Sequence, residues 1–287
     1  MATFYNQATL SYNGGVTNSN VTEGEIVTGL TLTKTALSSD YGQDESISYL
    51  VTLTNNSDTD CTDVTITDDL GAYTLPCSAV PLVPLTYIEG SVLYYRGGVL
   101  AEAPAVSTEG GLVISGITVP AGSTSIIIYE TRANEFAPLS EQSGIYNTVI
   151  ASGCCVGEEG LSDSARVPTR NEANLTIAKA VCPDVISCGD IVTYTLIIQN
   201  TGNIATVATD NVVVRDVFNP TLSDISVTLN GEPLEEGTGY TYDAASGAFE
   251  TILGAITVPA ASYLRDPETC AVTTTPGVAI LTVTGTV

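Results

Sequence analysis

The chain has 287 residues, room for two domains of ordinary size with a core in each. Eight Lys and Arg stand against 32 Asp and Glu, a formal charge of -24 that repels nucleic acid and anionic lipid and keeps molecules apart in solution. Histidine is absent, which removes Ser-His and Cys-His nucleophilic pairs, histidine metal ligands and imidazole acid-base chemistry, so neither an enzyme nor a cofactor is expected.

Residues 5–11 read YNQATLS and residues 146–152 read YNTVIAS, each placing Tyr-Asn ahead of a short alternating apolar run. The first eleven residues are therefore expected to be the closing strand of a sandwich that begins elsewhere, with Tyr12 to Gly29 as a linker, so that residues 1–29 form no domain of their own. The N-terminus carries no basic segment followed by an apolar one, and no apolar run approaches the roughly 18 residues that span a bilayer, so membrane insertion is not expected.

From residue 30 the chain repeats itself. LTLTKTA at 30–36 matches LTIAKAV at 175–181, which sets Lys34 on Lys179. ISYLVTLTNN at 47–56 matches VTYTLIIQNT at 192–201, with Tyr49 on Tyr194 and Asn55 on Asn200. VTITDDL at 64–70 matches VVVRDVF at 212–218, with Asp68 on Asp216, and ISGITVPAGS at 114–123 matches LGAITVPAAS at 253–262. Runs of five to eight residues, rich in Val, Ile and Thr and parted by Gly, Pro, Asn and Asp, predict strands, and no segment keeps a helical period. The fold class expected is all-β, two tandem immunoglobulin-like β-sandwiches at 30–153 and 175–287, joined by a linker at 154–174. The first copy closes with GIYNTVIAS at 144–152, whereas the second reaches Val287 on AILTVTG, the match of IIIYETR at 126–132, and is expected to lack its last strand. An open sandwich of that kind exposes an apolar trough and unpaired backbone.

The LTLTK strand, the YLVTLTNN strand with its Asn turn, VTITD, ITVPAG and the closing Tyr-Asn strand resemble the bacterial surface repeat known as domain of unknown function eleven. The resemblance covers 30–152 fully and 175–287 without the closing strand, and it implies a structural role outside the cell, with no particular ligand.

Residues two apart in a strand share a face. Leu30 and Leu32 thus share one with Lys34, Leu175 and Ile177 with Lys179, Val64 and Ile66 with Asp68, and Val212 and Val214 with Asp216. On the closing strand Ile145, Asn147 and Val149 share a face, as do Phe4, Asn6 and Ala8 near the N-terminus. Each sandwich is then expected to enclose a Lys, an Asp and an Asn, the second borrowing its Asn. A buried charge must be paired or neutral, so one reading is a Lys-Asp salt bridge with the Asn amide completing its hydrogen bonds. The other is a spontaneous Lys-Asn isopeptide bond, because the trio is similar to those of Gram-positive pilin and adhesin domains: Lys34 to Asn147 with Asp68 assisting, and Lys179 to Asn6 of another molecule with Asp216 assisting.

The spacing from closing-strand Asn to the next Lys is 179 - 147 = 32 inside the chain and 34 - 6 = 28 at the N-terminus, so the N-terminal strand is placed as if it belonged to a domain ahead of the first. The expected partner is another copy. Phe4, Asn6, Ala8 and Leu10 would enter its second sandwich, giving a head-to-tail filament on a cell or spore surface. The competing reading is a monomeric surface adhesin, for which Tyr94, Tyr95, Tyr240 and Tyr242 are the nearest candidates. Seven cysteines leave at least one without an intrachain disulfide; the local pairings are Cys61 with Cys77 and Cys182 with Cys188, although spacing does not fix connectivity. No metal site is expected: there is no CxxC pair, and the turn with Asp58, Asp60 and Asp63 lacks the glycine and glutamate of a calcium loop.

Overall fold

The computed structural model describes residues 2–26, 29–153, 155–157 and 159–287, with the side chains of residues 2–4, 25 and 26 outside the description, Phe4 among them. Among these residues there is no α-helix, only one 3-10 turn at Ala208–Asp210, and no helix is long and apolar enough to cross a membrane. The protein is all-β and divides into two compact units, Met1–Pro138 with Ser143–Thr169 and Pro267–Cys270, and Leu139–Gln142 with Arg170–Asp266 and Ala271–Val287.

The chain opens with a hairpin arm of four short strands, β1 (Ala2–Asn6), β2 (Thr9–Tyr12), β3 (Gly15–Asn18) and β4 (Thr22–Ile26). Strand β1 pairs with β4 and β2 with β3, and neither pair joins another sheet. Asn13 and Gly14 both take positive φ, 46° and 81°, the two-residue turn that suits the right-handed twist of a hairpin. Between Asn6↔Thr22 and Thr9↔Asn18 the returning strand carries one extra residue. Ser19 holds this bulge, donating its N–H to the Ala8 carbonyl at 2.8 Å and accepting the Ala8 N–H on its hydroxyl at 3.0 Å.

The first sandwich contains β5 (Leu30–Ala36), β6 (Ser46–Asn55), β7 (Cys61–Asp68), β8 (Leu85–Tyr87), β9 (Leu93–Arg96), β10 (Val99–Ala101), β11 (Ala105–Ser107), β12 (Leu112–Val119), β13 (Thr124–Ala133), β14 (Gly144–Ser152) and β15 (Leu161–Pro168). One sheet runs β10-β9-β13-β6-β5, with β8 also on β13, and the other β11-β12-β7-β14-β15. Alternation builds the core between them: Ile47, Tyr49, Val51 and Leu53 point inward from β6, Val64 and Ile66 from β7, and Ile127 and Tyr129 from β13. The second sandwich contains β16 (Leu175–Cys182), β17 (Ile191–Asn200), β18 (Arg215–Val217), β19 (Ser223–Leu229), β20 (Glu232–Pro233), β21 (Tyr240–Asp243), β22 (Ala248–Thr251), β23 (Ser262–Arg265), β24 (Val272–Thr275) and β25 (Gly277–Thr286). Its sheets run β20-β19-β25-β17-β16 and β21-β22-β18, beside a separate β23-β24 ribbon. Val192, Leu196, Ile198, Val214, Phe218, Phe249, Ile256, Leu281 and Val283 form its core.

The two strand orders correspond term by term. Strands β20, β19, β25, β17 and β16 stand for β10, β9, β13, β6 and β5, and β21, β22 and β18 for β11, β12 and β7. Strand β19 runs along the places of both β8 and β9, and what the second copy lacks among the described residues is a counterpart of both β14 and β15.

Three expectations change. The segment expected as a linker at 154–174 contains β15, which runs back along the whole of β14 from Gly144↔Pro168 to Ala151↔Leu161. The linker expected at Tyr12 to Gly29 is mostly the returning half of the arm. The disulfide in the structure joins Cys77 to Cys270, with Cα atoms 5.9 Å apart, rather than Cys61 to Cys77. Cys61 is buried at the start of β7, and that strand carries the chain about 23 Å away before the loop holding Cys77. Cys182 and Cys188 are exposed and not bonded to each other.

Candidate functional site

In the first sandwich the side chains of Lys34 and Asp68 are 0% and 2% exposed, and the ammonium pairs with Asp68 Oδ2. The Tyr129 hydroxyl donates to the same oxygen, and the Leu70 N–H donates to Oδ1 at 2.8 Å. Lys34 Nζ lies 4.7 Å from the centroid of the Tyr49 ring, which stacks on Tyr129 at 5.7 Å. Charge pairing, ring and hydroxyl together offset the cost of placing an ammonium in the core.

Strand β14 completes the site. It pairs with β7 so that Val149 lies opposite Asp68, and Asn147, two residues back on the same face, is fully buried. Its Oδ1 accepts the Gly71 N–H at 3.2 Å, while its Nδ2 and the Tyr49 hydroxyl are buried near each other without a well-formed hydrogen bond. Gly71 turns the chain at φ 75°, and a Cβ there would stand 2.6 Å from the Ile145 side chain, so the contact requires glycine. Strand β15 then reaches the lysine strand: Asp163 Oδ2 accepts the backbone N–H of Lys34 at 2.7 Å.

Burial lowers the pKa of Lys34, with the Asp68 carboxylate acting in the opposite sense. Burial pushes the Tyr49 and Tyr129 phenols well above their ordinary value, and the nearby Asp68 charge adds to both shifts. A lysine shifted toward its neutral form, a carboxylate held by a phenol and an under-bonded carboxamide are the groups that amine attack on an amide requires.

The second sandwich repeats half of this site. Lys179 Nζ pairs with Asp216 Oδ2 and lies 4.6 Å from the Tyr194 ring and 5.2 Å from that of Phe218. Its surroundings differ, since the two side chains are 39% and 17% exposed. Val283 lies opposite Tyr194 where Tyr129 lies opposite Tyr49, so that position supplies no hydroxyl. Strand β18 pairs with β22 on one edge and, among the described residues, with nothing on the other. On β16 every residue after Leu175 is exposed, Ile177 at 56%, whereas Leu30 and Lys34 of β5 are buried.

Asn6, Ala8 and Leu10 lie on the arm with exposed side chains, Asn6 opposite Thr22. The structure therefore brings Lys34, Asp68 and Asn147 into one sandwich and Lys179 and Asp216 into the other, while Asn6 stays on the arm. Tyr94 and Tyr240 are core residues and the Tyr242 hydroxyl is tied to the Leu222 backbone, so these three serve packing, while Tyr95 is half-buried on β9. No group of three or more Cys, Asp or Glu among the described residues is arranged to hold a metal ion; Asp60 instead caps the Ala121 N–H at 2.8 Å.

Sequence reasoning missed Tyr129, although it shares the inward face with Ile127, and it missed the arm's return, although Asn13-Gly14 between alternating runs is a strong hairpin signal. It matched Asn55 to Asn200 without giving them a task. Each amide donates to two backbone carbonyls, Thr59 and Val119 in the first copy and Ile204 and Pro259 in the second, at 2.8 to 3.1 Å.

These features define a tandem β-sandwich protein with one closed and one open copy of a lysine–aspartate site. No family model and no curated protein matches the sequence. Among solved structures, the chain is similar to the collagen-binding domain of surface protein RspB from Erysipelothrix rhusiopathiae (14% identity, 58% of each chain, TM-score 0.29). It is also similar to the major pilin SpaD from Corynebacterium diphtheriae (11% identity, 85% of this chain and 58% of that one, TM-score 0.36). A third is a C-terminal fragment of the major pilin GBS80 of Streptococcus agalactiae (13% identity, 87% and 91%, TM-score 0.32). The chain thus spans little more than half the length of the first two.

Proposed function

We propose that this protein is the structural subunit of a filament outside the cell, polymerising head to tail as the N-terminal segment of one copy completes the second sandwich of the next. The observation that carries the reading is the second sandwich itself, which follows the strand order of the first and, among the described residues, leaves the β14 side of β18 unpaired. The arm supports it: its residues from Tyr5 to Glu23 are exposed, with Tyr5 65%, Leu10 64% and Val16 70% accessible, and it carries the Tyr-Asn pair of β14. A lone two-stranded hairpin with so much exposed apolar surface is marginal in water and gains by covering an apolar trough. The Cys77–Cys270 disulfide suits an oxidising, extracellular setting.

In this reading Asn6 enters beside Lys179 and Asp216 as Asn147 enters beside Lys34 and Asp68. An isopeptide bond then forms when the neutral lysine Nζ attacks the Asn Cγ, the Asp passes protons from the amine to the leaving group, and ammonia departs. Lys34 to Asn147 staples the first sandwich, and Lys179 to Asn6 of the neighbour locks the joint.

Electron microscopy of the purified full chain tests the polymer: filaments are expected, and a variant lacking residues 2–11 should stay monomeric. Normal filaments from that variant would overturn the reading. Intact mass is expected to fall by one ammonia for the first-sandwich bond, a loss that Asn147→Ala abolishes. A polymer that falls to monomer in hot reducing detergent would remove the intersubunit bond while leaving the filament.

A further inference from the structure

We infer that the donated element is the whole two-stranded arm, residues 2–26, and that its returning half closes over the lysine strand of the neighbouring molecule. This rests on the head-to-tail reading and changes what is inserted. The first sandwich is closed by a hairpin, since β15 pairs along all of β14 and its Asp163 takes the Lys34 backbone N–H at 2.7 Å. Among the described residues, the second sandwich has the place of both strands open, at the free edge of β18 and along exposed β16.

The arm matches that hairpin in register. Tyr146 and Asn147 lie opposite Arg166 and Ala165; Tyr5 and Asn6 lie opposite Glu23 and Thr22. In both hairpins the tyrosine is 65% exposed and meets a charged cross-strand neighbour, with the Arg166 guanidinium 5.6 Å from the Tyr146 ring and the Tyr5 hydroxyl 3.4 Å from Glu23 Oε1. If the tyrosine marks the outer face, Asn6 and Thr22 take the inner one, as Asn147 and Ala165 do.

On β15 Asp163 stands two residues before Ala165, whereas the arm has the Ser19 bulge at that place, so the match of the two hairpins is carried by their Tyr-Asn ends. The chain path agrees as well: β15 leads to the lysine strand β16 within one molecule, and β4 leads to the lysine strand β5. A single inserted strand would pair with β18 but leave Ile177 and Val181 of β16 bare. A hairpin covers both, and its Asn13-Gly14 turn holds it ready, which lowers the ordering cost of docking.

The test adds one of two synthetic peptides, residues 2–13 or residues 2–28, to full-length protein as it assembles. Filament length is followed by microscopy, and acylation of Lys179 by an amine reagent is followed by mass spectrometry. The hairpin peptide is expected to cap growing ends and protect Lys179 at a concentration at least roughly tenfold below that of the single strand. Equal capping by the two peptides would overturn the hairpin and leave the donor-strand filament standing. Filaments that neither peptide shortens would overturn both, and a full chain that stays monomeric with Lys179 protected would mean that the arm closes its own molecule.

Discussion

Two copies of one lysine–aspartate pair sit in the same chain, on equivalent strands and over equivalent tyrosine rings, and they differ in what covers them. Lys34 and Asp68 are sealed by β14 and β15, while Lys179 and Asp216 face an open strand edge. The comparison separates what a strand pair contributes from what the ion pair contributes, since the ion pair is common to both. It also shows that the covering hairpin turns a solvated salt bridge into a buried one with a neutral-leaning lysine and an amide at hand.

The largest effect expected is a contrast between two substitutions. In an Asn147→Ala background, where Lys34 stays an amine, Asp68→Ala leaves an ammonium buried without a partner and should cost about 3–5 kcal/mol in the first sandwich. Asp216→Ala in the unassembled protein removes a partly solvated pair and should cost about 0–1 kcal/mol. Calorimetry resolving the two unfolding transitions checks both, and equal losses would mean that the two sites do not differ in cover.

Next in size is Tyr129→Phe, which removes a hydrogen bond to a buried carboxylate and should lower the first transition by about 1.5–3 kcal/mol. Val283→Phe, at the corresponding place, removes no such bond and should act only through packing. Asn55→Ala and Asn200→Ala form the control, because both amides are buried and each donates to two backbone carbonyls; each should cost about 1–3 kcal/mol, and alike. A large inequality between them would show that the copies differ in more than their closing hairpin.

The smallest effect is on pH. Tyr49 and Tyr129 keep their protons in the folded state above the value of 10.0 at which an ordinary phenol loses them. The folded form then binds more protons than the unfolded one, so their contribution falls as pH rises beyond about 10. The first transition should move down between pH 9 and pH 11 while the tyrosinate absorbance of these two residues stays absent until unfolding.

The fold class, the repeat and the inward direction of Lys34, Asp68 and Asn147 were legible because alternation is local and a strand needs only its own residues to declare a face. The closing hairpins were half legible. Tyr-Asn marked β14 and the start of the arm, but β15, with Asp163 and Arg166 interspersed, lacks the apolar alternation that announces a strand. The Cys77–Cys270 bond was hidden because it joins residues 193 apart in sequence, where proximity is decided by the tertiary fold. Tyr129 was hidden for the same reason: its hydroxyl meets Asp68 only after β13 and β7 have come to lie on facing sheets.

The segmental order of the strands has a consequence for biosynthesis. The strands of the closed sandwich all come from residues 30–168, ahead of the first strand of the open one, so its hydrogen-bonded ladders can be complete while the remainder is still leaving the ribosome. The arm precedes the closed sandwich in the chain, and the open one follows it. During synthesis the exposed edge of β18 therefore exists for a shorter time than the closed sandwich and the arm that precede it in the chain.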